Sequence, residues 1–160
     1  GRPRRRKLLR VILDSRLRLP IESRVVQSCD KDVIVFCSFA NEQKRAALEK
    51  HGVIVEKLPN AADPDGRPDM SAVFRRLGER EITSVMVEGG AAINAACLTA
   101  GVIDKLWLFY APRIVGGEGA VPFLSSEARG MSGPMQLKNI EVHRFGNDLA
   151  VEGYLRDPYE

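Results

Sequence analysis

Aromatic residues are scarce in this chain, at 6% of the whole with a single tryptophan. A surface that grips nucleic acid by stacking its bases interleaves aromatics with cations, and the basic run at the start contains no aromatic residue. Long apolar runs are missing too. No stretch approaches the roughly 18 to 20 uninterrupted apolar residues of a membrane-spanning helix. The segment LLRVILD is broken by Arg10 and closed by Asp14, which makes it a poor signal peptide. Both absences point to a cytoplasmic protein with no membrane and no nucleic-acid partner.

Cysteine and histidine are equally sparse. Cys29, Cys37 and Cys97 have neither C-x-x-C spacing nor a histidine cluster beside them, which argues against structural zinc and a disulfide framework and predicts three buried thiols. His51 and His143 each stand alone, without a sequence neighbour that would make a metal site or a triad. Positive charge is local. The net charge is +3, yet Arg2, Arg4, Arg5, Arg6, Lys7 and Arg10 alone exceed it, so the rest of the chain is slightly acidic. Such a run is read as a solvated loop or strand entry, since no nucleic-acid-binding motif follows it.

What is present is a chain of 160 residues, 44% hydrophobic and 28% charged, long enough for one soluble domain with a real core. Branched apolar runs at 8–15, 32–38 and 53–59 predict buried strands, as do 82–90 and the run opening at 104. Helices are predicted over 41–52, with Asn41 as N-cap and Gly52 closing, and over 70–81, with Val73, Phe74 and Leu77 on one face. A third spans 91–101. Residues 60–69, punctuated by Pro and Gly, are read as loop. Two alternating runs around Gly146-Asn147-Asp148 predict a terminal hairpin. Strands alternating with helices imply an α/β domain with a mostly parallel sheet covered on both faces and an antiparallel C-terminal hairpin. In the strand from 104, Trp107 and Phe109 share one face and Tyr110 the other, so the first two are expected in the core or a subunit interface.

In such sheets ligands bind outside the carboxyl ends of the strands. VEGGAAINAA, residues 87–96, is predicted at one of those ends, with Glu88 as the last strand position. Gly89 and Gly90 allow close approach of a ligand, and a helix starting near Ala91 aims its free N–H groups and positive dipole end at it, an arrangement suited to a pyrophosphate. Ala91, Ala92, Ala95 and Ala96 leave room, and Asn94 can offer an amide. A paired glycine is weaker evidence than a full G-x-G-x-x-G. The cluster Gly116-Gly117-Glu118-Gly119 is read as a flexible loop, because Glu118 opposes an anion.

The stretch VMVEGGAAINAACLTAGVIDKLWLFYAPRIVGGEGAVPFL, together with LLRVILDSRLRLP far upstream, resembles the reductase domain of bacterial riboflavin biosynthesis, the C-terminal part of a bifunctional deaminase-reductase. The resemblance covers nearly the whole chain from about residue 7. It implies a dihydrofolate-reductase-like fold and NADPH-dependent reduction of the ribosyl group of 5-amino-6-(5-phosphoribosylamino)uracil, or of a related pyrimidine or pterin-like substrate. It also implies a homodimer. By the same resemblance Glu88 is the substrate-binding and catalytic position, and Ser15, Gly89, Gly90, Ala91, Ala92, Ile93, Asn94, Ala95 and Ala96 hold the NADPH. Arg16 and Arg18 would favour its 2′-phosphate. Family members carry an earlier strand and helix, so residues 1–160 are expected to be a single reductase-like domain without that opening. No H-x-E with P-C-x-x-C deaminase pattern occurs. The alternative reading is a non-catalytic nucleotide-binding or oligomerisation module.

Overall fold

The computed structural model describes residues 8–59, 66–117, 120–125 and 133–156. The basic residues from Arg2 to Lys7, most of the 60–69 loop, and Glu118 and Gly119 lie outside them. Two compact units divide the chain, the first ending at Ile82 and the second beginning at Thr83.

The first unit is a parallel sheet of β1 (Arg10–Leu13), β2 (Val33–Cys37) and β3 (Ile54–Lys57), in that spatial order. β2 is apolar without alternation because both of its faces are covered: Val33, Ile34, Val35, Phe36 and Cys37 are all fully buried. On one face Val33, Val35 and Cys37 join Leu17, Val26, Leu48, Val53 and Val55 in a single core cluster. Leu48 comes from α2 (Glu42–Lys50), where the Asn41 side chain accepts from the Lys44 N–H at 3.1 Å and Gly52 ends the turn at φ +83°. The other face is signalled by register. Phe36 pairs with Glu56, and Arg76 and Arg80 of the α3 segment reach Glu56, so α3 (Met70–Glu79) covers the Ile34 and Phe36 side. Asp69 caps α3 through the Ser71 N–H. A short helix, α1 (Arg24–Gln27), precedes β2 and is too brief to leave a periodic signal.

The second unit holds α4 (Ala91–Thr99) and an antiparallel sheet, β4 (Lys105–Tyr110), β6 (Asp148–Tyr154) and β5 (Lys138–Phe145) in spatial order. β5 and β6 form the expected hairpin, with Gly146 at φ +63° in its turn.

Two expectations are corrected and a third is narrowed. The 82–90 segment forms no strand: it pairs with no other strand among the described residues, and Val85 and Met86 stand 39% and 82% exposed. An apolar run shows that a segment favours burial, but only a partner's backbone makes it a strand. Trp107 and Phe109 share a face, as alternation requires; at 43% and 67% exposure they are not in the core, so of the two expected places only a subunit interface is left. Trp107 stacks on His143 of β5, with ring centroids 5.0 Å apart, and on Phe109 at 5.9 Å. Of the three thiols, Cys37 and Cys97 are buried and Cys29 is only partly so.

Candidate functional site

The second unit carries the Gly-Gly turn. Gly90 is the N-cap of α4 with φ −77° and ψ 178°, an extended conformation open to any residue. Its carbonyl accepts from the N–H groups of Ile93 and Asn94, each at 3.0 Å. The N–H groups of Ala91 and Ala92 belong to the first helical turn, which has no intrahelical acceptor for them. Among the described residues no side chain caps this end, and no acidic residue stands in the first turn. Among the described residues no acceptor meets these two N–H groups, so the helix start offers them with the positive end of its dipole, a setting that favours an anion.

The two glycines differ in what they make possible. A Cβ on Gly89 would lie 2.6 Å from Ile93 Cγ2 and 2.7 Å from its Cβ, so the chain's own packing excludes a side chain there. A Cβ on Gly90 would meet nothing within 4 Å. Neither backbone angle nor internal contact requires glycine at 90. The space before it is open, with the helix start behind.

The helix start is braced on its flank. Asn94 Nδ2 donates to the Phe123 carbonyl at 3.0 Å, and the Ser125 N–H donates to the Ala91 carbonyl at 3.2 Å. Asn94 thus spends part of its amide on fixing the Phe123–Ser125 segment, a role that sequence spacing did not reveal. Ala91, Ala92, Ile93 and Ala96 are half-buried, and Ala95 is buried. Glu88 is exposed, on the unpaired stretch, so the expectation of a carboxylate ending a buried strand is corrected to one standing in solvent two residues before the N-cap.

Ser15 lies in the first unit, just past β1. Its carbonyl accepts from the N–H groups of Ser38, at 3.1 Å, and Phe39, at 2.8 Å, which ties together the carboxyl ends of β1 and β2. Asp14 organises the turn that follows: its Oδ2 accepts from the Leu19 N–H at 2.7 Å while its backbone carbonyl accepts from Leu17, which sits at φ +52° with its side chain buried. The acid at the strand end was visible in the sequence, but its partner was not. Arg16 and Arg18 project from this turn into solvent, Arg18 with Nε 3.9 Å from Asp14 Oδ1.

Elsewhere, an apolar hollow of about 320 Å³ between Leu98, Gly101, Ile103 and Leu155 lies at the opposite end of α4 from Gly90. Among the described residues, no group of three or more His, Cys, Asp or Glu side chains could hold a metal ion.

The family model for the RibD C-terminal domain matches residues 1–151, through both units. The chain belongs to that family. It is 26% identical over 160 residues to the riboflavin biosynthesis protein RibD of Actinobacillus pleuropneumoniae, covering 98% of this chain and 41% of that protein. It is 30% identical over 145 residues to the 2,5-diamino-6-ribosylamino-4(3H)-pyrimidinone 5′-phosphate reductase of Methanothermobacter thermautotrophicus, covering 90% of this chain and 64% of the relative. Acinetobacter baumannii RibD has a similar fold, with a TM-score of 0.70 and 24% identity over 91% of this chain and 37% of that one. The α/β, dihydrofolate-reductase-like fold is therefore that of this family. The chain spans about two fifths to two thirds of the length of these curated relatives.

Proposed function

We propose that this chain reduces the ribosyl group of 5-amino-6-(5-phosphoribosylamino)uracil, or of the closely related diaminopyrimidinone phosphate, to the ribityl compound of riboflavin biosynthesis, using NADPH. The observation that carries this reading is the geometry at Gly90: a glycine that the fold does not need, facing open space at an uncapped helix start. Family membership supplies the reaction class, and the name of the archaeal relative supplies the substrate class.

The nicotinamide supplies the hydride when bound. The protein's part is to bind, align and exclude water. The N–H groups of Ala91 and Ala92 would hold the phosphates, and Gly89 and Gly90 let the backbone come close. Ile93, Asn94, Ala95 and Ala96 form the helical wall behind them. The resemblance assigns Ser15 to the cofactor as well, and the exposed Arg16 and Arg18 follow it on the same turn. Glu88 would accept hydrogen bonds from the sugar or amino groups of the pyrimidine and so orient the carbon that receives the hydride.

The reading includes a cytoplasmic homodimer acting as one reductase domain per chain. No helix among the described residues is long and apolar enough to cross a membrane. For the dimer, the exposed aromatic row of Trp107, Phe109 and Phe145 is the supporting surface, since contiguous exposed apolar patches mark association sites. Sedimentation of wild type against Phe109→Lys tests it: a dimer that the substitution dissociates is expected, and a monomeric wild type contradicts it. Titration with NADPH, followed by its fluorescence, and then turnover with each of the two pyrimidines tests the activity. Binding without turnover would favour a nucleotide-binding module instead.

A further inference from the structure

The Asn94 amide has a donor end and an acceptor end, and the second unit fixes where each one points. Its Nδ2 donates to the Phe123 carbonyl at 3.0 Å, which settles the orientation of the amide, because a carbonyl accepts from the nitrogen end alone. Its Oδ1 stands 3.5 Å from the point that a Cβ on Gly89 would occupy. Toward the Gly-Gly turn, then, Asn94 shows an acceptor, and an acceptor repels an anion. A second hydrogen bond ties the same stretch of chain to the same turn of helix: the Ser125 N–H donates to the Ala91 carbonyl at 3.2 Å. Ala91 and Asn94 are neighbours on one helix face, at i and i+3, so both tethers act on that face. Phe123 to Ser125 is thus a strap along the first turn of α4. Leu124 and Ser125 are half-buried in it, while Val121 and Phe123 stand exposed.

An asparagine with a donor committed to the strap and its acceptor facing the turn is badly placed to hold a phosphate. It is well placed to fix what stands beside one. We propose that Asn94 is a positioning residue: it leaves the nucleotide untouched and holds Phe123–Ser125 against the helix start, so that this strap forms the side wall of the anion site at Gly90. N–H groups and a helix dipole attract an anion more strongly where water is kept away, which is what a wall at this place does. A strap already held in place also needs no ordering when the ligand arrives, whereas a loose one would weaken binding by the cost of fixing it. This rests on the NADPH dependence proposed above and changes the part that Asn94 plays in it.

The test compares the whole wild-type chain with Asn94→Ala, with Ser125→Pro, which lacks the backbone N–H of the second tether, and with the double variant. NADPH titration gives the affinities, and chymotrypsin cleavage after Phe123 and Leu124, followed by mass spectrometry on the same preparations, reports the strap. Each single variant is expected to be cut faster at the strap and to bind NADPH about fivefold more weakly, the change that corresponds to one hydrogen bond. Because both tethers act through one strap, the double variant should lose little beyond either single one, where independent losses would multiply to about 25-fold. Asn94→Asp, of the same size but without the donor, should be cut at the strap as fast as Asn94→Ala, and it takes the place of the alanine variant in the cleavage assay if that variant folds poorly. Losses that multiply, or an Asn94→Ala variant that binds NADPH more weakly with its strap cut at the wild-type rate, mean that Asn94 touches the nucleotide directly, and overturn the proposal. Faster cleavage of the strap at unchanged NADPH affinity also overturns it and leaves the cofactor reading standing. Wild type that binds no NADPH overturns both readings.

Discussion

Replacing Gly90 with aspartate should move stability and binding in opposite directions. The position is the N-cap of α4, its backbone suits any residue, and a Cβ there meets nothing within 4 Å. Aspartate is a better N-cap than glycine by a few tenths of a kcal/mol, and a negative charge at a helix start adds roughly 0.3 to 1 kcal/mol. The variant should therefore be more stable by about 0.5 to 1 kcal/mol, which raises the melting temperature by about 1 to 3 °C for a chain of this size. The same carboxylate would occupy the ground proposed for the phosphates. At about 4 Å, two unit charges repel by about 4 kcal/mol at an effective dielectric near 20 and by about 1 in bulk water. An exposed turn lies between these limits. About 2 kcal/mol corresponds to a loss of about 30-fold in affinity. Thermal melting and NADPH fluorescence titration, run on the same preparations, give both numbers. A variant that is at least as stable as wild type and binds NADPH equally well would refute the placement of the phosphates at this turn.

Three further outcomes follow from other parts of the structure. Gly89→Ala should destabilise by about 1 to 3 kcal/mol, because its methyl would fall 2.6 Å from Ile93 Cγ2, and a melting temperature equal to wild type would contradict the packing described. Burial pushes the Glu56 carboxyl up, but hydrogen bonds from Arg76, at 2.5 Å, and from Arg80 outweigh it and hold it below the ordinary range. Its folded pKa is below its unfolded one, so its stabilisation is full above the unfolded value of about 4.3 and is lost as pH falls through the folded value. Glu56→Gln should flatten that acid limb in melting curves taken from pH 6 down to about 3, and parallel profiles would count against the ion pairs. Burial raises the Cys37 and Cys97 thiols, so an alkylating reagent under native conditions should label Cys29 first, and faster labelling of either buried thiol by mass spectrometry would contradict the core.

The legible parts of this molecule are those governed by local rules. The unbroken apolar run of β2 announces a strand covered on both sides, and Asn41 announces a helix start because an N-cap side chain acts on its own next turn. Residues 82–90 show where that logic ends: the same apolar appetite is present, but pairing is supplied by another part of a chain, and spacing says nothing about which part. The face shared by Trp107 and Phe109 followed from alternation, whereas its exposure depends on what lies opposite. At the candidate site, sequence offers two identical glycines. Only geometry separates Gly89, demanded by Ile93, from Gly90, which the fold leaves free. The clamp of Asn94 on Phe123 spans a separation in sequence that no periodicity encodes.

The most direct test of the account is turnover: NADPH consumption by the purified chain in the presence of 5-amino-6-(5-phosphoribosylamino)uracil, with the product identified by mass spectrometry. The account predicts that one NADPH is oxidised for each ribityl product formed, and that Gly90→Asp, while remaining folded, needs about 30-fold more NADPH for the same rate. NADPH bound tightly but not oxidised in the presence of either pyrimidine would contradict it and leave a nucleotide-binding module in its place.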